Sequence, residues 1–310
     1  MIVYQGDPAG WETPERGSAV AIGVFDGVHV GHQRVLSALR GNDDDLTRVA
    51  MTFGTHPAAV LAPDSAPTRL STLKRRFELL EAAGVERIAV LDFDEAMRDM
   101  TPEEFVDRFL IEGLNARFVA VGTGFSFGRD ASGTTDTLAE LAGSRGFSVE
   151  VVEIARCGED EIRSTSIREH VERGDVEGAA SMLGHPYEME GIVVPGDGRG
   201  RQLGVPTANV SFPAVLTVPL EGVYAVVVGI DGSDHHGVAN LGVRPTFDGT
   251  ERVLEVHVLD GDMNLYGKQI RVGFVGRIRE EHRFASVDEL LVQIRTDITS
   301  AARILDEQTS

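Results

Sequence analysis

The hydrophobic positions of this 310-residue chain change rhythm near residue 185. Before that point, short unbroken apolar runs at 18–25, 48–53, 88–91, 118–121 and 149–154 predict strands buried on both faces. Helical spacing predicts helices between them, at 32–39, 72–83, 101–110 and 137–143. The second keeps Leu73, Phe77 and Leu80 on one face, and the third opens on a capping box, Thr101 with Glu104. Such alternation predicts an α/β domain with a parallel sheet. A further helical stretch starts at Ser164-Thr165-Ser166 and runs to Leu183, where Gly184-His185-Pro186 stops it. Beyond it, short strands at 188–194, 223–230, 237–241, 252–259 and 270–275 are separated by Gly, Pro and Asp turns. That texture predicts an all-β domain, a small antiparallel β-barrel. An amphipathic helix at 287–305 packs on it through Leu290, Leu291, Ile294 and Ile298. The predicted domains are 1–185 and 186–310.

Composition narrows the chemistry. With 42% hydrophobic and 25% charged residues, the chain is an ordinary globular one. Its 29 basic against 49 acidic side chains leave a net charge of −20, which argues against nucleic acid or anionic lipid as partners. A phosphate site here must be built from individual donors, because the overall field repels anions. A single cysteine, Cys157, rules out an internal disulfide and fits a reducing cytoplasm. The N-terminus has no secretion-signal pattern, and no apolar run approaches the roughly 20 residues of a membrane span. The only lysines, Lys74 and Lys268, are not in a P-loop, which excludes that class of enzyme.

The strongest motif lies where the first predicted strand hands over to the first helix. It reads Gly23-Val24-Phe25-Asp26-Gly27-Val28-His29-Val30-Gly31-His32. Ligands of open parallel sheets bind at strand C-terminal ends, where helix N-termini attract phosphate. Gly27 and Gly31 allow close backbone approach, and His29 and His32 share one face and offer donors to phosphate oxygens. Taken alone, two such histidines also read as a surface or metal pair; the Gly-Asp-Gly setting favours phosphate. Ser164, Thr165 and Arg168, opening a late helix, form a second anchor, although as an isolated string they are an N-cap. The segments 52–57, with Phe53, His56 and Pro57, and 122–128, with Phe125 and Phe127, mix aromatics with glycine. They suit stacking on a flat ring, or equally core packing beside a turn.

In the β half, residues 196–204 hold Gly198, Arg199, Gly200, Arg201 and Gly204, a loop able to wrap phosphates. As an RNA-binding tract it is too short and the chain too acidic. If the following segment is extended, Thr207 and Asn209 share a face and offer two neutral oxygens, enough for a Mg²⁺ already carried by ATP. In the strand at 252–259, Leu254, Val256 and Val258 take one face and leave Glu255 and His257 on the other. Glu255 there is a candidate general base for a hydroxyl nucleophile, against the plain reading of a solvated strand face. Arg244 lies in a rigid turn with Pro245 and Phe247.

The order of these motifs, with Leu265-Tyr266-Gly267, resembles the prokaryotic bifunctional riboflavin kinase/FMN adenylyltransferase (FAD synthetase) family over essentially the whole chain. The resemblance implies that the first half is a Rossmann-like nucleotidylyltransferase moving AMP from ATP to FMN, giving FAD and pyrophosphate. His29, His32, Ser164, Thr165 and Arg168 would handle phosphates there. The second half would be a riboflavin kinase, with Thr207 and Asn209 on Mg-ATP, Glu255 taking the ribityl 5′-hydroxyl proton, and Arg244 and Arg283 near the flavin. The implied partners are small molecules: riboflavin, FMN, FAD and ATP with Mg²⁺. A homo-oligomer stays open. Gly124 departs from the family's usual Asp or Asn, and Thr55 from its usual proline. The alternative is a single-function adenylyltransferase with a non-catalytic flavin-binding β domain.

Overall fold

In the computed structural model, the described residues are 1–310 apart from 42–44, 56, 62–64, 159, 197, 199, 201–202, 247–248, 260, 262 and 310. His56, Arg199 and Arg201 fall outside them, as does the side chain of Arg244. The chain packs as two compact units, Met1–Pro67 with Leu73–Arg163, and Thr68–Thr72 with Ser164–Ser310.

The first unit contains β1 (Ile2–Gln5), β2 (Ser18–Ile22), α1 (Val30–Ala38), β3 (Thr47–Phe53), α2 (Pro57–Leu61), α3 (Leu73–Ala82) and β4 (Arg87–Leu91). They are followed by α4 (Glu95–Arg98), α5 (Pro102–Phe105), β5 (Ala116–Gly122), α6 (Thr135–Arg145), β6 (Ser148–Val152) and a small hairpin of β7 (Arg156–Cys157) and β8 (Asp160–Glu161). The sheet order is β1-β4-β3-β2-β5-β6, parallel throughout, as the continuous apolar runs predict. Alternate residues serve opposite faces. Val20 and Ile22 pack with Phe105 and Leu110, whereas Ala19 and Ala21 pack with Leu36 and Leu80. The predicted capping box is present, Thr101 Oγ1 accepting from Glu104 N while Glu104 accepts from Thr101 N. Past α5 the helix widens into a π-helical stretch, Val106–Gly113. The edge strand β1 escaped the sequence reading, being only four residues long with one buried, Tyr4.

Strand β2 stops three residues earlier than expected, because Phe25 turns left-handed (φ 53°). The chain runs from β2 through β3 and β4 on one side, then returns to β5 on the other. The sheet therefore reverses direction between β2 and β5, and the loop after β2 leaves at that switch point.

The second unit contains α7 (Ser164–Glu172), α8 (Val176–Leu183), β9 (Tyr187–Val194), β10 (Ala208–Ser211), β11 (Gly222–Ile230), β12 (Ser233–Thr246), β13 (Gly249–Val258), β14 (Gln269–Arg279) and α9 (Val287–Thr309). The single helix read from 164 to 183 is in fact two. Gly174 turns left-handed (φ 80°), and Asp175 caps the second by accepting from Gly178 N at 3.0 Å. The six strands close as an antiparallel barrel in the order β10-β13-β12-β11-β14-β9. Helix α9 packs on β11, β12 and β14, Ala301 and Leu305 being buried with Ala225 and Val275. The expected inward residues Leu290, Ile294 and Ile298 are instead half-buried and face a cavity.

Candidate functional site

In the first unit, residues 23–32 form a 3-10 turn (Asp26–Val28) followed by α1. Gly27 (φ 72°) and Val28 (φ 42°) join Phe25 in the left-handed region, which for a β-branched residue is strained. His29 is the N-cap of α1, its Nδ1 accepting from His32 N at 3.3 Å. That bond leaves the neutral ring's proton on Nε2, so His29 is set as an Nε2–H donor. The two imidazoles stack with centroids 3.6 Å apart, and Phe25 meets His32 edge-on at 5.2 Å. A Cβ at Gly31 would lie 3.0 Å from His29 Cε1, so a side chain there would press on the ring. His32 is half-buried, but its Nδ1 is sealed from solvent with no hydrogen-bond partner among the described residues.

Burial, then the neighbouring His29 and Arg76, hold the His32 pKa well below its ordinary value near 6.5. The unfolded chain protonates this histidine as the pH falls through about 6.5 while the folded chain does not. Folded stability is therefore full above that pH and falls below it. Urea midpoints at pH 7.5 and 5.5 should show this dependence, and His32→Gln should reduce it.

The other strand ends present aromatics, in keeping with the sequence. Phe53 ends β3 half-buried, edge-on to Phe93 at 6.1 Å. Phe125 is half-buried and stacks on Phe127 at 5.3 Å; Phe127 itself is buried against Phe105 and belongs to the core. A Cβ at Gly124 would meet nothing within 4 Å, so space does not dictate that glycine. Pro57 opens α2. Ser164, Thr165 and Arg168 lie in the first turns of α7, with Arg168 buried and Thr165 exposed.

In the second unit, strand register gathers the chemistry. Asn209 on β10 pairs with Glu255 on β13, Glu255 with Asn240 on β12, Asn240 with Val223 on β11, and Val223 with Arg279 on β14. These five side chains form one cross-strand row, and all line a cavity of about 360 Å³. Leu290, Ile294 and Ile298 of α9 supply its apolar wall, with Phe284 and His282 beside them. Arg283 is exposed and not among the residues that line it. Leu254, Val256 and Val258 are buried while Glu255 and His257 are partly exposed, as the alternation predicts. His257 Nδ1–H donates to Pro206 O at 2.7 Å, steadying the backbone just before Thr207. A second cavity, of about 110 Å³, is lined by Val193, Gly196, Leu265 and Tyr266. Gly198, Thr207 and Asn209 line both. Gly204 (φ 77°) has open space where a Cβ would be. At Gly196 a Cβ would overlap the Asn209 amide, and at Gly200 it would approach Thr207 Oγ1 to 3.0 Å; both glycines let the loop close on that pair.

Arg279, at the end of β14, is half-buried. It forms a forked pair with Asp297 of α9 (Nε to Oδ1 3.0 Å, Nη2 to Oδ2 2.7 Å), and Gln293 Nε2 adds a bond to Oδ1 at 2.8 Å. Asp297 is only 3% exposed. Asp297→Asn leaves the partly exposed Arg279 guanidinium with a weakened partner and should cost about 2 kcal/mol, read as a lower urea midpoint.

The sequence profile described as FAD synthetase matches residues 12–166, and that described as riboflavin kinase matches 183–305. Curated relatives named bifunctional riboflavin kinase/FMN adenylyltransferase include one from Pseudomonas fluorescens, 39% identical over 92% of both chains. Another, from Escherichia coli K12, is 38% identical over 94% of this chain and 93% of its own, and one from Bacillus subtilis is 38% identical over 92% of each. A crystal structure described as a macrolide-efflux protein from Streptococcus pneumoniae superposes with a TM-score of 0.89 at 31% identity, covering 97% of this chain and 99% of that one. Among the described residues of this chain, no helix is long and apolar enough to cross a membrane. Two matched profiles on two folded units, with full-length relatives at this identity, show that the chain belongs to the bifunctional riboflavin kinase/FMN adenylyltransferase family: it is an enzyme that uses ATP to phosphorylate riboflavin and to adenylylate FMN.

Proposed function

We propose that riboflavin occupies the cavity beneath α9, with its ribityl 5′-hydroxyl at Glu255, and that ATP lies in the adjoining cavity beyond Thr207 and Asn209. The observation that carries this reading is the cross-strand row of Asn209, Glu255 and Asn240, together with the partition that both cavities share. The ring system meets Leu290, Ile294 and Ile298, and Glu255 accepts the hydroxyl proton as that oxygen attacks the γ-phosphate and ADP departs. Thr207 and Asn209 supply neutral oxygens, and Gly196 leaves the Asn209 amide unobstructed. This donor set fits a Mg²⁺ that ATP already carries. When bound, the ion would neutralise charge on the phosphates. Gly198, Gly200 and Gly204, with Arg199 and Arg201, are proposed to wrap the nucleotide, and Arg244 and Arg283 to lie toward the flavin.

In the first unit, FMN's phosphate oxygen attacks the α-phosphate of ATP and pyrophosphate leaves, with no covalent protein intermediate. His29 donates from Nε2 to the phosphate oxygens, and His32 holds the cap. Backbone at Gly23, Phe25, Asp26, Gly27 and Gly31 frames the triphosphate. Phe53 and Phe125, with His56 and Pro57, are the proposed flavin contacts, and Phe127 backs Phe125 from the core. Ser164, Thr165 and Arg168 are proposed as further phosphate donors from their motif alone, which extends the functional division to residue 185. A cytoplasmic setting is proposed from the single cysteine, and small-molecule partners only from the net charge of −20.

Incubating the chain with riboflavin, ATP and Mg²⁺ and separating the flavins should show FMN first and FAD after it, with EDTA stopping both. FAD formed from FMN, without any consumption of riboflavin, would leave only the single-function reading.

A further inference from the structure

We propose that Arg76 is a positioning residue for FMN adenylylation, locking the loop after β2 to the end of β3 from beneath, without touching substrate. The inference rests on the reading of residues 23–32 as the adenylyl-transfer site.

An arginine on a helix ordinarily keeps its head in water. Arg76 of α3 is 2% exposed, and its guanidinium reaches two separate segments, the end of β3 and the turn after β2. Nη1 donates to Phe53 O at 3.0 Å and approaches Thr52 Oγ1 at 3.5 Å. Thr52 Oγ1 in turn donates to Val24 O at 2.9 Å, inside the loop after β2. Nη2 stands 3.9 Å from Asp26 Oδ1, a carboxylate itself 1% exposed in the 3-10 turn.

Two consequences follow from this geometry. First, the turn holds Phe25, Gly27 and Val28 at positive φ, and strained backbone of this kind persists only where its surroundings over-determine it. Arg76 and Thr52 are such surroundings, joining the strained turn to the backbone that carries Phe53. Second, a buried carboxylate in a phosphate-binding turn repels the triphosphate unless a cation balances it. Arg76 sets a cation beside Asp26, at 3.9 Å.

The test uses the full chain, with riboflavin phosphorylation in the same preparation as the measure of intact protein. Arg76→Gln should lower kcat for FMN adenylylation about 100-fold with KM for FMN little changed, since misplacement of the frame costs rate more than binding. Arg76→Lys, which keeps the charge, should recover about tenfold of that loss. Thr52→Val should cost about tenfold, and the Arg76→Gln/Thr52→Val pair should be no worse than Arg76→Gln alone, because the two act as one chain of bonds. If Arg76→Gln does not fold, Thr52→Val is combined with Arg76→Lys, and losses that multiply overturn the inference. Kinase-competent Arg76→Gln that adenylylates within about threefold of wild type also overturns it, provided His29→Ala is inactive. If His29→Ala adenylylates normally, the reading of the turn itself falls, and the inference with it.

Discussion

Replacing Glu255 by alanine is expected to stop FMN formation from riboflavin while FAD formation from supplied FMN continues at the wild-type rate. A positioned general base contributes roughly 10²–10⁴-fold, and in this barrel the register leaves little choice of base. Glu255 is the one carboxylate in the row Asn209–Glu255–Asn240–Val223–Arg279. Glu281, which also lines the cavity, accepts from Asn240 Nδ2 at 2.9 Å. The loss is chemical and not structural, because the neighbours that build the barrel are the buried Leu254 and Val256, and residue 255 points the other way. Glu255→Gln, which keeps the shape and removes the acceptor charge, should be nearly as inactive. If both reactions fell together in a folded Glu255→Ala protein, the division of labour between the two units would be wrong.

The complementary expectation is that His29→Ala halts the pathway at FMN. Removing one preorganised donor to a developing phosphate charge costs about 10²–10³-fold in rate. His29 also caps α1, and loss of that cap costs about 1 kcal/mol by itself. His29→Asn separates the two effects: asparagine is a good N-cap but does not place a donor where Nε2 stood. Flavin chromatography should therefore show both variants accumulating FMN, with the asparagine protein closer to wild type in its melting temperature. An asparagine variant that made FAD normally would mean that the ring serves the helix and not the phosphate.

Much of this was legible in the sequence because the two units write their patterns differently. Continuous apolar runs marked the parallel strands, and the alternation at 254–258 placed Glu255 on the cavity side of its strand. What escaped has physical causes. Strand β1 is short and mostly exposed, so burial imprinted little pattern on it. The break at Gly174-Asp175 carried the usual Gly stop and Asp start, but apolar spacing on both sides masked it. Leu290, Ile294 and Ile298 did follow helical spacing, yet periodicity cannot tell a core from a cavity wall. Arg76 sits three residues after Leu73 and four before Leu80, on the apolar face of α3, where an arginine was itself a signal. Arg279 and Asp297 are 18 residues apart and meet only once α9 lies on the barrel. Asn240 joins Glu255 only through strand register, which no local pattern encodes.

The partition formed by Gly198, Thr207 and Asn209 has a pharmacological consequence. With the flavin placed as proposed, discrimination among flavin antimetabolites altered on the ring rests with Leu290, Ile294 and Ile298, on a helix none of whose described residues lines the smaller cavity. Resistance mutations at those three positions would therefore change which analogue is phosphorylated while leaving the choice of phosphate donor untouched.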